Sequence, residues 1–383
     1  MKPVGLVVLL LGAFALMLGA FAPPAAANIT VYPTPTPGSD PFGMTETNVV
    51  WFTESQAAKL GKIDQSGRIT EIPLPTGSDP LSLTPTAFGT VAVAEHGTAA
   101  IDEVATDGTV TTHPIPGGLQ PYAVTLGSDS GVWFSAQPAT SGGNGAVGVM
   151  RPTPDRPITL YPVSGVPWGI SRDNYGNVWF ALQRAGGGAI GRITTDGAVT
   201  VYPIGPGAIP VDLAPASDGN MWFTDQNHGH VGRVTPSGAV KEFAIGATST
   251  ILGIAEGSSS GVVAADPGGK ALYLVTSAGY RKVPVPGSPQ HLTAAPQGGM
   301  YFTLREGKIG LLGGNDVTPG CLAPKLVGKK LAAAKKLLAA ADCKLGPVTL
   351  RKHRGRKGVV LTQNPPPGEL FPEGFRVALT VSR

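Results

Sequence analysis

Val50-Trp51-Phe52-Thr53-Glu54, then Leu60-Gly61-Lys62-Ile63, then Ile69-Thr70-Glu71-Ile72-Pro73: this stretch decides the fold. It reads as short strands rich in β-branched and aromatic residues, separated by turn residues. It recurs in eroded form with a period of about 41 residues, the repeat length of a propeller blade. Each copy opens at an anchor: Pro41, Pro80, Pro121, Pro167, Pro210, Ile251 and Pro289, which makes seven copies. The expectation is an all-β, seven-bladed β-propeller.

Each repeat divides into four strands. The first follows the anchor, the second is Val49 to Thr53 or Asn177 to Ala181, and the third is Ala189 to Thr194 or His230 to Thr235. The fourth, Val199 to Pro203 or Val240 to Phe243, follows a short turn at Asp196-Gly197 or Ser237-Gly238 that suits a hairpin. Trp51, Trp133, Trp179, Trp222 and Tyr301 recur at one equivalent position, where packing between blades is expected. The copy from Ile251 to Pro284 has lost its Trp and its tidy turn. The last copy ends at Lys308-Ile309-Gly310-Leu311-Leu312 without a fourth strand, whereas the orphan Ile29-Thr30-Val31-Tyr32-Pro33 matches Val199 to Pro203. The N-terminal strand is therefore expected to complete the last blade and close the ring, leaving no exposed sheet edge.

Residues 1–27 carry Lys2, an apolar run from Val4 to Phe21, and small residues at Ala25-Ala26-Ala27. This pattern predicts a signal peptide and a secreted protein; an uncleaved anchor is the competing reading. The remaining 356 residues suffice for one propeller, 28–317, and a small domain, 318–383. Gly 54 and Pro 37 against 14% charged residues fit many tight turns between buried strands, and no later segment has the length of a membrane helix. From Thr318 onward thirteen Lys or Arg face three acids, a net of +10, while residues 28–317 carry −7. That asymmetry separates two regions electrostatically. No aromatic residues interleave the basic run at 351–357, so nucleic acid is not an expected partner, and an anionic cell envelope is. Cys321 and Cys343, 22 residues apart, are expected to form a disulfide in an oxidising compartment. A monomer is expected.

The propeller repeats resemble the virginiamycin B lyase (streptogramin lyase) family. The likeness runs from residue 28 to about 315 and rests on the anchors at Pro41 and Pro167, the Trp51 phrase, the Ile190-Gly191-Arg192-Ile193 strand and Val201-Tyr202-Pro203. The resemblance implies elimination at the ester of a cyclic depsipeptide antibiotic, with a base for the Cα proton and Mg²⁺ as cofactor. It also implies catalytic histidines directly after the anchor proline in two late blades. Here those positions are Phe42, Leu81, Tyr122, Trp168, Val211, Leu252 and Gln290, none of them His. His291 stands one residue further on, with Glu306 in the loop after the second strand of the same blade. By the two-residue period of a strand, such a slip points His291 to the opposite side.

Two loop classes share one face of a propeller, those leading into the innermost strand and those joining strands two and three. They place Phe42, Tyr122 and Trp168 beside Glu54, Glu95, His96, Gln137, Gln183, Asp225, His228, His230 and Glu306, an amphipathic surface for a peptide or glycan. His228 and His230, with Asp225 as third ligand, have spacing compatible with a metal. Solvated turn residues are the alternative, and no metal site or cofactor is assigned on the binding reading. The glycine runs at 141–145 and 186–188 lack a following helix and are not phosphate cradles.

Beyond Gly320 the pattern changes. Leu331, Ala334, Leu338 and Ala341 form one apolar stripe on a predicted helix, and Gly358 to Thr362 and Phe375 to Val381 alternate as strands. Pro324-Lys325-Leu326-Val327-Gly328, Gly358-Val359-Val360-Leu361-Thr362-Gln363-Asn364-Pro365-Pro366-Pro367-Gly368 and Val377-Ala378-Leu379-Thr380-Val381-Ser382 resemble a PASTA domain. That resemblance implies a wall-associated module, with a cell-wall polymer or peptidoglycan fragment as partner. Three expectations follow: a non-catalytic, envelope-associated binding protein; a lyase with its base relocated to His291 and Glu306; or an interaction scaffold.

Overall fold

The structure is a computed structural model that describes residues 27–140, 142–247, 251–257, 261–277, 279–314, 321, 323–341, 343–353, 357–367 and 376–383. Of the expected signal peptide, all but residue 27 lies outside the described residues. Seven four-stranded antiparallel sheets follow one another along the chain, each built from strands adjacent in sequence except the last. The innermost strands are Pro41–Glu46, Pro80–Pro85, Gln120–Leu126, Val166–Arg172, Pro210–Pro215, Ile254–Glu256 and Pro289–Ala294. In the seventh sheet the outermost strand is Ile29–Pro33, paired antiparallel with Lys308–Gly313 from Ile29 opposite Leu312 to Pro33 opposite Lys308.

The repeated phrase explains the blade interior. Trp133, Trp179 and Trp222 are fully buried, and their rings stack on Tyr161, Tyr202 and Phe243 of the outer strands at 6.0, 5.6 and 5.4 Å. Each indole N–H donates to an aspartate in the preceding turn, Asp129, Asp173 or Asp218, so the aromatic is buried without an unsatisfied donor. The next residue, Phe52, Phe134, Phe180, Phe223 or Phe302, faces a glycine on the third strand. A Cβ at Gly61 would lie 2.2 Å from the Phe52 ring, so glycine here makes room for the aromatic of its neighbour. In the sixth blade the exchange is reversed: Ala264 faces the fully buried Tyr273, and the aromatic volume comes from the third strand. The Trp position of this degenerate repeat is held by Val263, opposite Leu274.

The Thr of the same phrase joins neighbouring blades. Thr53, Thr224 and Thr303 each accept the N–H of the second residue after an anchor (Gly43, Asp212, His291) and donate to a carbonyl of the next blade (Leu81, Leu252, Phe42). Thr303 makes this link between the seventh blade and the first. Six of the seven innermost strands also shift register just after the anchor, for example between Pro41 and Met44 and between Pro289 and Leu292. Over those residues the ordinary alternation of sides is suspended.

In the tail, the helix α1 (Leu331–Ala340) buries Ala334 and Leu338 against Val360, Val377, Leu379 and Val381. Cys321 and Cys343 are bonded, with Cα atoms 4.3 Å apart, inside this cluster. The sheet has three strands where the sequence suggested two. Lys344–Arg351 pairs in parallel with Arg376–Ser382, which pairs antiparallel with Val360–Asn364. The extra strand escaped sequence reading because it is an edge, exposed over most of its length and interrupted by Pro347 where its register shifts. Among the described residues no helix is long and apolar enough to cross a membrane.

Candidate functional site

The bulged residues after the anchors converge at one mouth of the central channel. Phe42 lies 6.5 Å from Tyr122, and Tyr122 lies 4.8 Å from Trp168, both edge to face. His291 joins this wall with its ring 4.4 Å from Phe42. The expectation that a one-residue slip turns His291 away is thus corrected: the bulge places both the first and the second residue after an anchor at the channel.

Asp212, which sequence reading missed, holds the second position in the fifth blade and faces His291 with Oδ2 to Nδ1 at 3.6 Å. Gly253 permits the approach, since a Cβ there would sit 2.7 Å from the His291 Cα. Oδ2 of Asp212 accepts the Ile254 N–H, while Oδ1 accepts that of Leu213. Burial pushes the Asp212 carboxyl up to about 7 and the His291 imidazole down to about 4, because each group loses solvation of its charged form. Burial, with the Asp212 carboxylate as second cause, also raises the Tyr122 phenol. Nε1 of Trp168 and Nε2 of His291 are buried without a partner among the described residues.

Glu306 does not join His291. Both of its oxygens accept the Ser288 N–H, at 3.1 and 3.0 Å, and its pKa is lowered, hydrogen bonds from Ser288 outweighing burial. The dyad anticipated from sequence is therefore not assembled. Gln183 sits half-buried opposite Val166 and makes no side-chain hydrogen bond among the described residues. Glu54 and Glu95, expected on the surface, are fully buried at the ends of their strands. Burial pushes them up to about 7 and about 8, with the Ser39 and Ser78 hydroxyls pulling the other way.

Asp225 is likewise fully buried. Its Oδ1 accepts the amides of Ile209 and Asn227, and its Oδ2 accepts His228 Nδ1 at 2.6 Å. The carboxylate grouped with His228 and His230 is Glu242, from the outer strand, and not Asp225, the third ligand expected from the spacing. Two cavities lie elsewhere among the described residues. One of about 330 Å³ lies on the face of the channel mouth and is lined by Gln226, Leu252, Pro267, Gly268, Ser288 and Arg305. A larger one of about 550 Å³ lies between the first two blades, among Thr47, Trp51, Lys62, Arg68 and Thr90, and contains none of the channel residues.

The profile of the Virginiamycin B lyase family matches residues 23–142 and 158–316. The chain belongs to the virginiamycin B lyase family. A PASTA domain matches residues 323–383. The virginiamycin B lyase of Nocardia farcinica (strain IFM 10152) is 30% identical over 194 residues, which are 48% of this chain and 62% of that relative. A solved streptogramin B lyase superposes with a TM-score of 0.68 at 27% identity, covering 74% of this chain and 97% of its own. The virginiamycin B lyase of Staphylococcus aureus gives 0.69 at 25% identity, covering 75% and 99%. A catalytically inactive histidine-to-alanine form of that enzyme, solved with quinupristin, is 24% identical and shares the fold.

Proposed function

We propose that this member of the virginiamycin B lyase family is a secreted, envelope-associated binding protein that holds a peptide or glycan at the channel mouth without chemistry. The observation that carries the reading is the content of the mouth: a continuous wall of Phe42, Tyr122, Trp168 and His291, with Glu306 held by Ser288 instead of joining His291. A base that abstracts a proton works best with a pKa near the working pH. Burial has moved His291 well below that, and Glu306 is engaged by Ser288. The partly exposed rings of Phe42, Tyr122 and Trp168, with the 330 Å³ cavity on the same face, supply what recognition needs.

One observation favours the lyase reading, the 3.6 Å approach of Asp212 to His291, which resembles a base and its orienting acid. Against it, both Asp212 oxygens already accept backbone amides, and its raised pKa leaves it only partly charged at neutral pH.

The tail supports the envelope assignment through its PASTA likeness and its net +10 charge. The test uses purified insoluble peptidoglycan. The full chain should co-sediment with it, lose retention as salt rises from about 50 mM to about 0.5 M, and lose it entirely when residues 318–383 are removed. Soluble fragments from the same material should quench the fluorescence of Trp168, with no such change in Trp168→Phe. Absence of both effects would defeat the proposal.

A further inference from the structure

Three side chains from three segments of the fifth blade meet away from the channel wall. His228 comes from the loop after Met221–Asp225, His230 opens the strand His230–Val234, and Glu242 lies in the outer strand Val240–Ala244. Each offers one ring nitrogen or carboxylate oxygen, and these atoms all lie within 4.8 Å of one another. The register accounts for the pairing of the two strand residues. Gly232 faces Glu242 and His230 faces Ala244, so His230 and Glu242 are diagonal neighbours on one side of the sheet. Their nearest atoms, Nδ1 and Oε1, are 3.7 Å apart, and both are buried without a hydrogen-bond partner among the described residues.

The loop that brings His228 to them is tied down at several points. Asn227 Nδ2 donates to the Gly207 carbonyl at 2.7 Å, and the Asn227 amide donates to Asp225. Gly229 has φ +62°, and a Cβ there would meet the Ala247 carbonyl at 2.7 Å, so the loop closes only with glycine. His228 Nδ1 lies 2.6 Å from Asp225 Oδ2; in the tautomer that donates Nδ1–H to this carboxylate, Nε2 keeps the free lone pair. A carboxylate behind an imidazole is the arrangement that orients histidine ligands and makes them more basic.

We infer that His228, His230 and Glu242 form a divalent transition-metal site, with Asp225 as the residue that positions His228. Two imidazoles and one carboxylate suit zinc and its neighbours, whereas magnesium prefers oxygen donors alone. Bonds of about 2.0–2.2 Å place tetrahedral ligand atoms about 3.3–3.6 Å apart, a contraction that side-chain rotation can supply. His228 is 35% exposed, so the coordination positions not filled by the three side chains open towards solvent. This inference is independent of what occupies the channel mouth.

The test is calorimetric titration of ZnCl₂ into the chelator-treated full chain, with Co²⁺ absorption as a second readout of nitrogen ligation. One saturable equivalent is expected, undisturbed by 10 mM Mg²⁺. His230→Ala and Glu242→Gln should each weaken binding at least tenfold, Asp225→Asn about tenfold, and His96→Ala not at all. Melting curves without metal establish that each variant is folded, and Glu242→Gln, which keeps the side-chain volume, decides the matter should His230→Ala fail to fold. No saturable zinc binding, or binding unchanged in both ligand variants, overturns the inference.

Discussion

Replacing Thr303 by Val probes the seam where the ring closes. Thr303 is fully buried, donates to the Phe42 carbonyl at 2.8 Å and accepts the His291 N–H at 3.0 Å. Valine keeps the shape and removes the hydroxyl, leaving a part-buried carbonyl and a part-buried amide without that partner. A fully buried group left so costs about 1–3 kcal/mol; these two are only part-buried and should fall in the lower part of that range, about 1–2 kcal/mol each and about 2–4 kcal/mol in all. For a domain of this size that is a fall in Tm of roughly 5–10 °C. Thr53→Val should behave alike, because Thr53 makes the same two bonds between the first and second blades, at 2.8 and 2.9 Å. Thr84→Val is the control. Thr84 is also buried, but its hydroxyl makes only a 3.5 Å contact, and its loss should stay below about 1 kcal/mol. Urea unfolding of the three variants reads the differences. If Thr303→Val costs no more than Thr84→Val, the threonine does not clasp the blades.

Glu95 should give the fold a pH dependence that Glu95→Gln removes. Its carboxyl keeps its proton up to about pH 8 when folded but releases it near 4.5 when unfolded, so the native state binds more protons in that window and stability falls as pH rises through it. The Gln variant should match the parent near pH 5 and melt higher at pH 8.5; equal melting at both values would contradict burial of the charge. Reduction of the Cys321–Cys343 bond should destabilise the tail by about 3 kcal/mol and leave the propeller transition in place, as calorimetry with and without reductant would show. A propeller transition that shifts with reduction would refute that separation.

The architecture was legible because its cause is local and repeated. One phrase supplies the stacking Trp, the Phe that requires a facing glycine, and the Thr that reaches the next blade, so seven eroded copies still specify the same sheet. The channel mouth was legible only in part. Phe42, Tyr122 and Trp168 were recognisable as residues following the anchors, whereas Asp212 and the true direction of His291 depend on a bulge that strand periodicity does not foresee. Glu54 and Glu95 looked like surface acids because loop residues usually are exposed, yet each lies at the last strand position, opposite an anchor proline and fully buried. Glu242 could not be tied to His228 and His230 from spacing, since a strand register brings it there.

The central claim, that the channel mouth binds without catalysing elimination, is tested most directly with quinupristin. The purified full chain, quinupristin and Mg²⁺ are incubated together, and cyclic and linear forms are separated by reversed-phase chromatography before mass spectrometry, because ring opening by elimination leaves the mass unchanged. The account predicts no linear product above the buffer control. Linear product formed by the parent chain and absent with His291→Ala would contradict it.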